Sequence, residues 1–377
     1  MANSTYLRQM HQRRIIQAVA RCGEVSRSGL ARATGMSQPT VSRIVEQLLS
    51  EHVLVESTVA DSAAANRSDK PVLGRPSVGL KLDRQRPRFC VMQVGVRFTR
   101  LAVLPVAIPG EDRWDDEFPT PGSADEWIRQ LARVWEPHAK KGLRVMVSLP
   151  GVVDEQSGKA YLSPNLRWLE SLDLGAALRD VFGSQPIFKH EIRLLALGQL
   201  ATEPDAGDFL LVDSGNGVGA AAIINGKLFK GTLPLCGEIG HIAVPGNHRP
   251  CGCGATGCLE TLVSRGGLLT SAAEHGEPAT WPELVKELTG KEIPRWLKHT
   301  LENTAVNIAG ALNLFGLRNV VLTGAFAELP QSTVDFLSES VQEHSMWARF
   351  GQVAVRAARR HRQAGMVSVA LEEILSA

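Results

Sequence analysis

One motif occurs twice in this chain, and it limits the possible folds more than any other feature. "FCVMQVGVRFTRLAVLPV", from Phe89 to Val106, reads as strand, turn, strand. "DFLLVDSGNGVGAAAIINGKLFKG", from Asp208 to Gly231, reads as strand, glycine turn, strand, a turn at Asn225-Gly226, and a further strand. Helical and strand patterns follow each copy. After the first come the amphipathic "SADEWIRQLARVWEPHAKK" (123–141) and the buried-strand pattern "LRVMVSLPG" (143–151). After the second comes "NTAVNIAGALNLFGLRNVVLTGAF" (303–326), which reads as helix, strand, glycine loop. The doubling predicts an α/β protein of two related lobes with a cleft between them.

Composition agrees with two or three packed domains. The chain has 377 residues, 44% of them hydrophobic, 21% charged, and a net charge of +2, which excludes a disordered or strongly polyanion-seeking chain. No apolar run approaches the ~20 residues of a membrane span. The start, "MANSTYLRQMHQRRII", lacks the apolar core of a signal peptide, so no membrane partner and a cytoplasmic location are expected. Six cysteines are too few for a disulfide scaffold; Cys22, Cys90 and Cys236 read as structural.

The first eighty residues have a different texture. "LRQMHQRRIIQAVARCG" has apolar residues at helical spacing and closes at Gly23. "SRSGLARATG" is a second short helix, capped by Ser26 and stopped at Gly35. The third, from Ser37, has Pro39 in its first turn and an apolar stripe of Val41, Ile44, Val45, Leu48 and Leu49. Residues 54–82 read as a hairpin with a polar tip. Three helices and a hairpin make a winged helix-turn-helix. The opening turns of its third helix carry Ser37, Gln38, Pro39, Thr40, Ser42 and Arg43, short, polar or basic side chains suited to base edges and phosphates in the major groove of double-stranded DNA. Through residue 82 about eleven Lys and Arg stand against about six Asp and Glu. "LGRPS" (73–77) holds Arg75 in extended backbone before proline. It is either a linker bend or an arm for a narrow minor groove; behind a winged helix the arm is the expectation.

"GEIGHIAVPGNHRPCGCGATGCLE" (237–260) gathers Cys251, Cys253 and Cys258 at C-x-C-x4-C spacing below a histidine. Three thiolates and one imidazole form a full tetrahedral set for Zn²⁺ and leave no position for a reactive water, so the spacing predicts a structural metal clip. His241 and His248 are both in range. His241 is preferred because it leaves a longer loop to be clipped.

With these motifs assembled, the chain resembles the ROK family of repressors, uncharacterised open reading frames and sugar kinases. The likeness rests on "GEIGHI" before "CGCGATGCLE", on "LPGVVDEQSGKAYLSPNLRW" (149–168), on "VDSGNGVGAAAIINGKL" (212–228), and on the winged helix and "LGRPS" ahead of them. It spans essentially the whole chain. It implies a winged helix-turn-helix followed by a two-lobed, actin-like ATPase (sugar kinase-like) fold, assembled as a homodimer or homotetramer. The corresponding divisions are 1–83 for the DNA-binding domain with its Gly-Arg-Pro linker, 84–196 for the smaller lobe, and 197–359 for the larger lobe with the zinc site and dimer contacts. A C-terminal helix at roughly 360–377 would pack on the smaller lobe.

By the same resemblance, Glu238, His241 and Glu260 hold a sugar effector, with one nitrogen of His241 on zinc and the other on a sugar hydroxyl. Asn165 either lines that cleft or is a turn residue alone. Family kinases carry an Asn-Asp pair where this chain has His190 and Glu191, and an acid where it has Gln93. Glu191 is thus a degenerate base position, moved by one methylene, and the neutral amide of Gln93 is a poor Mg²⁺ ligand; His190 and Glu191 are expected among the effector-binding residues instead. The expectation is a non-enzymatic regulator, a repressor reading an inverted-repeat operator under control of a sugar. The alternatives are an ATP-dependent sugar kinase with an attached DNA-binding domain, and a repressor controlled by a protein partner.

Overall fold

A computed structural model describes residues 11–57 and 78–374, apart from positions 13, 21, 232–234 and 279. Arg75 and the remainder of "LGRPS" lie outside the described residues.

The front of the chain folds as its caps dictate. Helical turns over residues 11–12 and 14–20 end near Gly23, whose φ is 70°. Ser26 caps the helix Arg27–Thr34, accepting the Gly29 N–H at 3.1 Å, and Gly35 (φ 70°) ends it. Ser37 caps Gln38–Ser50 by accepting the Thr40 N–H at 3.4 Å, and Pro39 sits in the first turn, where no N–H is needed. Val41, Ile44, Val45 and Leu48 of that helix are buried, while Leu49 is half-buried. Strands β1 (Val25–Ser26), β2 (Leu54–Ser57) and β3 (Gly79–Leu82) form a small antiparallel sheet in the order β1-β3-β2. This is a winged helix.

The two lobes share one topology. In the first, β4 (Phe89–Val94), β5 (Phe98–Leu104) and β6 (Asp116–Pro119) form an antiparallel meander. β7 (Arg144–Leu149) then pairs parallel with β4, and β10 (Ile187–His190) with β7. A small hairpin, β8 (Val152–Val153) and β9 (Ala160–Leu162), lies between. In the second, β11 (Phe209–Ser214), β12 (Val218–Ile224) and β13 (Lys227–Leu228) repeat the meander; β14 (Asn319–Gly324) pairs parallel with β11, and β15 (Ala354–Ala357) with β14. The repeated motif of the sequence is therefore a repeated sheet.

The helices differ from the sequence reading in two places. The run 123–141 does not continue as one α-helix. Helix Ala124–Trp135 gives way to a 3₁₀ turn over Glu136–Lys141, because Pro137 offers no N–H and its ring opposes the preceding carbonyl. The division at 196/197 falls inside the continuous helix Glu191–Thr202. That helix serves both lobes. Its Ile192, Leu195 and Ala196 pack on Phe209, Leu211, Ala221, Ile223 and Val321 of the second sheet. Its Leu194 joins Phe89, Val91 and Met146 of the first sheet. The last described helix, Arg362–Ile374, lies alongside it, placing Met366, Val367 and Ala370 in the same cluster as those first-sheet residues. Gly198 and Gly365 allow the approach: a Cβ on either would overlap a backbone carbonyl of the other segment, His361 or Leu194. No described helix is long and apolar enough to cross a membrane.

Candidate effector cleft and metal cluster

The loop around the cysteine cluster of the second lobe touches the first lobe at Gly252. A short 3₁₀ turn, Ile239–His241, follows Glu238. The chain then folds back, with isolated bridges from Ala243 to Cys258 and from Pro250 to Thr256. Arg249 anchors this loop from outside, donating to the Thr261 carbonyl at 2.8 Å and the Ser271 hydroxyl at 3.0 Å. The Asn247 amide donates to the Cys258 carbonyl at 3.1 Å. These bonds bring His241, Cys251, Cys253 and Cys258 together, their ligand atoms all within 4.8 Å of one another. His248 is exposed and outside the group.

The spacing tests whether an ion fits. A tetrahedral site with sulfur about 2.3 Å from zinc has S···S edges of about 3.8 Å. Cys253 Sγ and Cys258 Sγ are 3.7 Å apart, and Cys251 Sγ is 3.6 Å from His241 Nδ1. The donors and these edges suit a metal. With Nδ1 facing the sulfurs, Nε2 of His241 faces Glu238, 3.8 Å from its Oε2. The clip therefore sets the angle of the imidazole over the cleft.

The cleft residues are a mixture of satisfied and unsatisfied groups. Glu260 opens a short helix, and its Oε2 accepts the Val218 N–H at 2.9 Å. Glu238 has one buried oxygen, Oε1, with no partner. Burial pushes its carboxyl above the usual range, with neighbouring Glu260 adding to the rise and His241 opposing it. In the first lobe His190 ends β10, and its buried Nδ1 also lacks a partner among the described residues. Burial, reinforced by nearby Arg193, lowers the pKa of His190 to about 4. The charge of Arg193 bears on Glu238 as well, which puts Glu238 and His190 in the same electrostatic neighbourhood.

Glu191, beside His190, is not a free carboxylate. Its Oε1 accepts Arg362 Nε at 2.6 Å and Gln93 Nε2 at 3.0 Å. Asn165 is exposed in the turn after β9, and its neighbours make the contact between lobes. Arg167 Nη2 donates to the Gly252 carbonyl at 2.9 Å, and Pro164 packs against Gly252.

On the recognition helix, Gln38, Pro39 and Arg43 are exposed, and Thr40 and Ser42 are half-buried. Ser37 and Thr40 share a side-chain hydrogen bond of 2.8 Å. Arg27 of the preceding helix is held by Glu46 at 2.8 Å and Glu56 at 3.1 Å, whereas Arg43 in helix Gln38–Ser50 is exposed.

Several cleft residues escaped the sequence reading. Glu155 accepts Lys189 Nζ at 2.9 Å, pairs with Arg193 at 3.2 Å, and accepts the His190 N–H at 3.1 Å. Burial would raise its carboxyl, but these cations and the N–H bring it below the usual range. Arg167, Arg360 and Arg362 were missed as well. The run Arg359-Arg360-His361-Arg362 was the available signal, a basic cluster directly after a strand.

Comparison with known proteins places this geometry. The ROK family profile matches residues 110–371, and a winged helix-turn-helix DNA-binding profile matches residues 11–55. The xylose repressor of Caldicellulosiruptor bescii is 22% identical over 407 aligned positions, covering 100% of this chain and 99% of the relative. Among solved structures, a ROK family transcriptional regulator described as a homologue of the Escherichia coli MLC protein superposes with a TM-score of 0.70 at 20% identity, covering 97% of this chain and 98% of the other. A ROK family glucokinase from Streptomyces griseus, solved with glucose and AMPPNP, gives 0.61 at 18% identity over 76% of this chain and 98% of its own. The first likeness spans the winged helix and both lobes, and the second the two-lobed architecture of a sugar kinase; together they establish the fold.

Proposed function

The chain belongs to the ROK family, and from that membership we propose that it is a DNA-binding transcriptional regulator, a repressor, controlled by a sugar or sugar derivative in its interlobe cleft. One observation carries the effector reading. Two buried polar atoms, Glu238 Oε1 and His190 Nδ1, have no partner among the described residues, and leaving such atoms unpaired is costly. The hydroxyls of a polyhydroxyl ligand, which both donate and accept, would pair with them, and the Nε2–H of a clipped His241 adds one donor of its own. In this reading His241, Cys251, Cys253 and Cys258 hold a structural Zn²⁺. The ion supplies rigidity, fixing the tautomer of His241. Asn165 and Glu260 complete the effector wall.

Gln38, Thr40, Ser42 and Arg43 would meet base edges and phosphates, with Ser37 and Pro39 setting the start of the helix and Arg75 as a minor-groove arm. A two-fold homodimer would read both halves of an inverted repeat. Phosphotransfer is the weaker reading, because the base position, Glu191, is already an ion-pair and hydrogen-bond acceptor for Arg362 and Gln93.

A thermal-shift series on the full chain with monosaccharides, amino sugars and their phosphates tests the proposal. One sugar class should raise the melting temperature, and Glu238→Gln should remove that rise. No shift with any sugar would remove the effector and leave a repressor answering to a protein partner.

A further inference from the structure

Between β15 and the helix Arg362–Ile374, and into its first residue, the chain runs Arg359-Arg360-His361-Arg362, and Arg360 and Arg362 turn inward. Arg360 donates from Nε to Asp213 Oδ1 at 2.6 Å and from Nη2 to Asp213 Oδ2 at 2.8 Å. The same Nη2 reaches the Ser214 carbonyl at 3.0 Å, and Thr323 Oγ1 donates to Asp213 Oδ1 at 2.7 Å. The guanidinium therefore lies at the carboxyl ends of β11 and β14, which are adjacent and parallel. In open α/β sheets that crevice is where ligands bind.

Two glycines make the space. A Cβ on Gly215 would lie 2.6 Å from Arg360 Nη2, and one on Gly324, where φ is 71°, would overlap the same guanidinium. Bare turns of this kind, with no side chain over the backbone, are the usual seat of a phosphate group. Here a cation from the chain itself fills the seat and is neutralised by Asp213. Two residues on, Arg362 binds Glu191 at 2.6 Å and approaches Asp112 at 3.9 Å, so the same segment ties the second-lobe turns to the base of the first lobe.

We propose that Arg360 is a built-in occupant of a phosphate crevice, excluding nucleoside triphosphates and holding the two glycine turns of the second lobe to the segment that binds Glu191. A triphosphate could enter only by displacing the guanidinium, which would leave the carboxylate of Asp213 buried and facing a second anion. The proposal deepens the non-enzymatic reading and does not depend on the sugar reading.

The test is equilibrium binding of a fluorescent ATP analogue with Mg²⁺ to the full chain, wild type and Arg360→Ala, with melting temperatures measured alongside. Wild type should show no saturable binding up to about 1 mM. Arg360→Ala should melt several degrees lower, through its unpaired Asp213, and bind the analogue at least about tenfold more tightly than wild type. Saturable micromolar binding by wild type would overturn the proposal, as would a folded Arg360→Ala with no gain in binding. If Arg360→Ala does not fold, Arg360→Lys replaces it; this variant keeps a charge for Asp213 but vacates the guanidinium volume. Wild type that binds nucleotide without phosphorylating any sugar would sink only this proposal; one that also transfers phosphate would sink the non-enzymatic reading too.

Discussion

Gly252 stands between the first two cysteines of the clip, and replacing it with alanine should push the two lobes apart. Its backbone φ is outside the left-handed region, so alanine is conformationally tolerated there. The new Cβ would lie 2.8 Å from Pro164 Cβ on the opposite lobe, where ordinary contact begins at 3.4 Å. The lobes must therefore part by about 0.6 Å, or the loop must deform. Overpacking of this size costs about 1–3 kcal/mol. If closure on the effector carries that cost, the effector dissociation constant rises about 5- to 150-fold. The hydrogen bond from Arg167 to the Gly252 carbonyl weakens in the same direction. The assay is calorimetric titration with the sugar identified by thermal shift. Gly254→Ala is the control: Gly254 has φ of 96° and no neighbour within 4 Å, so it strains the loop without touching the other lobe. Wild-type affinity in Gly252→Ala, or equal losses in both variants, would refute the interlobe account.

Three further outcomes are expected. Cys253→Ser should lose the bound metal, read by elemental analysis, and with it the sugar-induced thermal shift, while the winged helix retains its helical signal. Acidification should destabilise the protein through His190: its folded pKa of about 4 lies below its unfolded value, so the stability it contributes is present above about pH 6.5 and is lost as pH falls toward 4. The loss is on the order of 3 kcal/mol at most, and His190→Gln should flatten that part of the urea-denaturation pH profile. Ser37→Ala should cost about 1 kcal/mol of stability by removing the cap of the recognition helix, whereas Arg43→Ala should leave stability unchanged and reduce the salt dependence of DNA binding.

The sequence carried the local signals well and the distant ones poorly. Ser26, Gly35, Ser37 and Pro39 act through neighbours three or four residues away, so the helices of the winged domain could be read directly. The strand pairs β4-β5 and β11-β12 were legible because a short turn joins each, whereas β6, eleven residues beyond β5, went unread. The metal cluster was legible because thiolates at close spacing have few other uses. Pro137 was passed over inside an otherwise periodic run. The helix Glu191–Thr202 could not be assigned to one lobe from its pattern, since it is apolar on two faces. The arginine pairs were hidden for another reason: Arg360 meets Asp213, and Arg362 meets Glu191, across more than a hundred residues of chain. No local periodicity encodes such a partner. Glu155 shows the same limit: nothing in its local pattern marks a carboxylate that holds Lys189, Arg193 and the His190 N–H.

The most direct test of the central claim is the affinity of the full chain for its operator, selected from genomic fragments, with and without the sugar that stabilises it. The account predicts a dissociation constant that changes by at least about tenfold on adding that sugar, with the change abolished in Glu238→Gln. A sugar that stabilises the protein yet leaves operator affinity unaltered would contradict it.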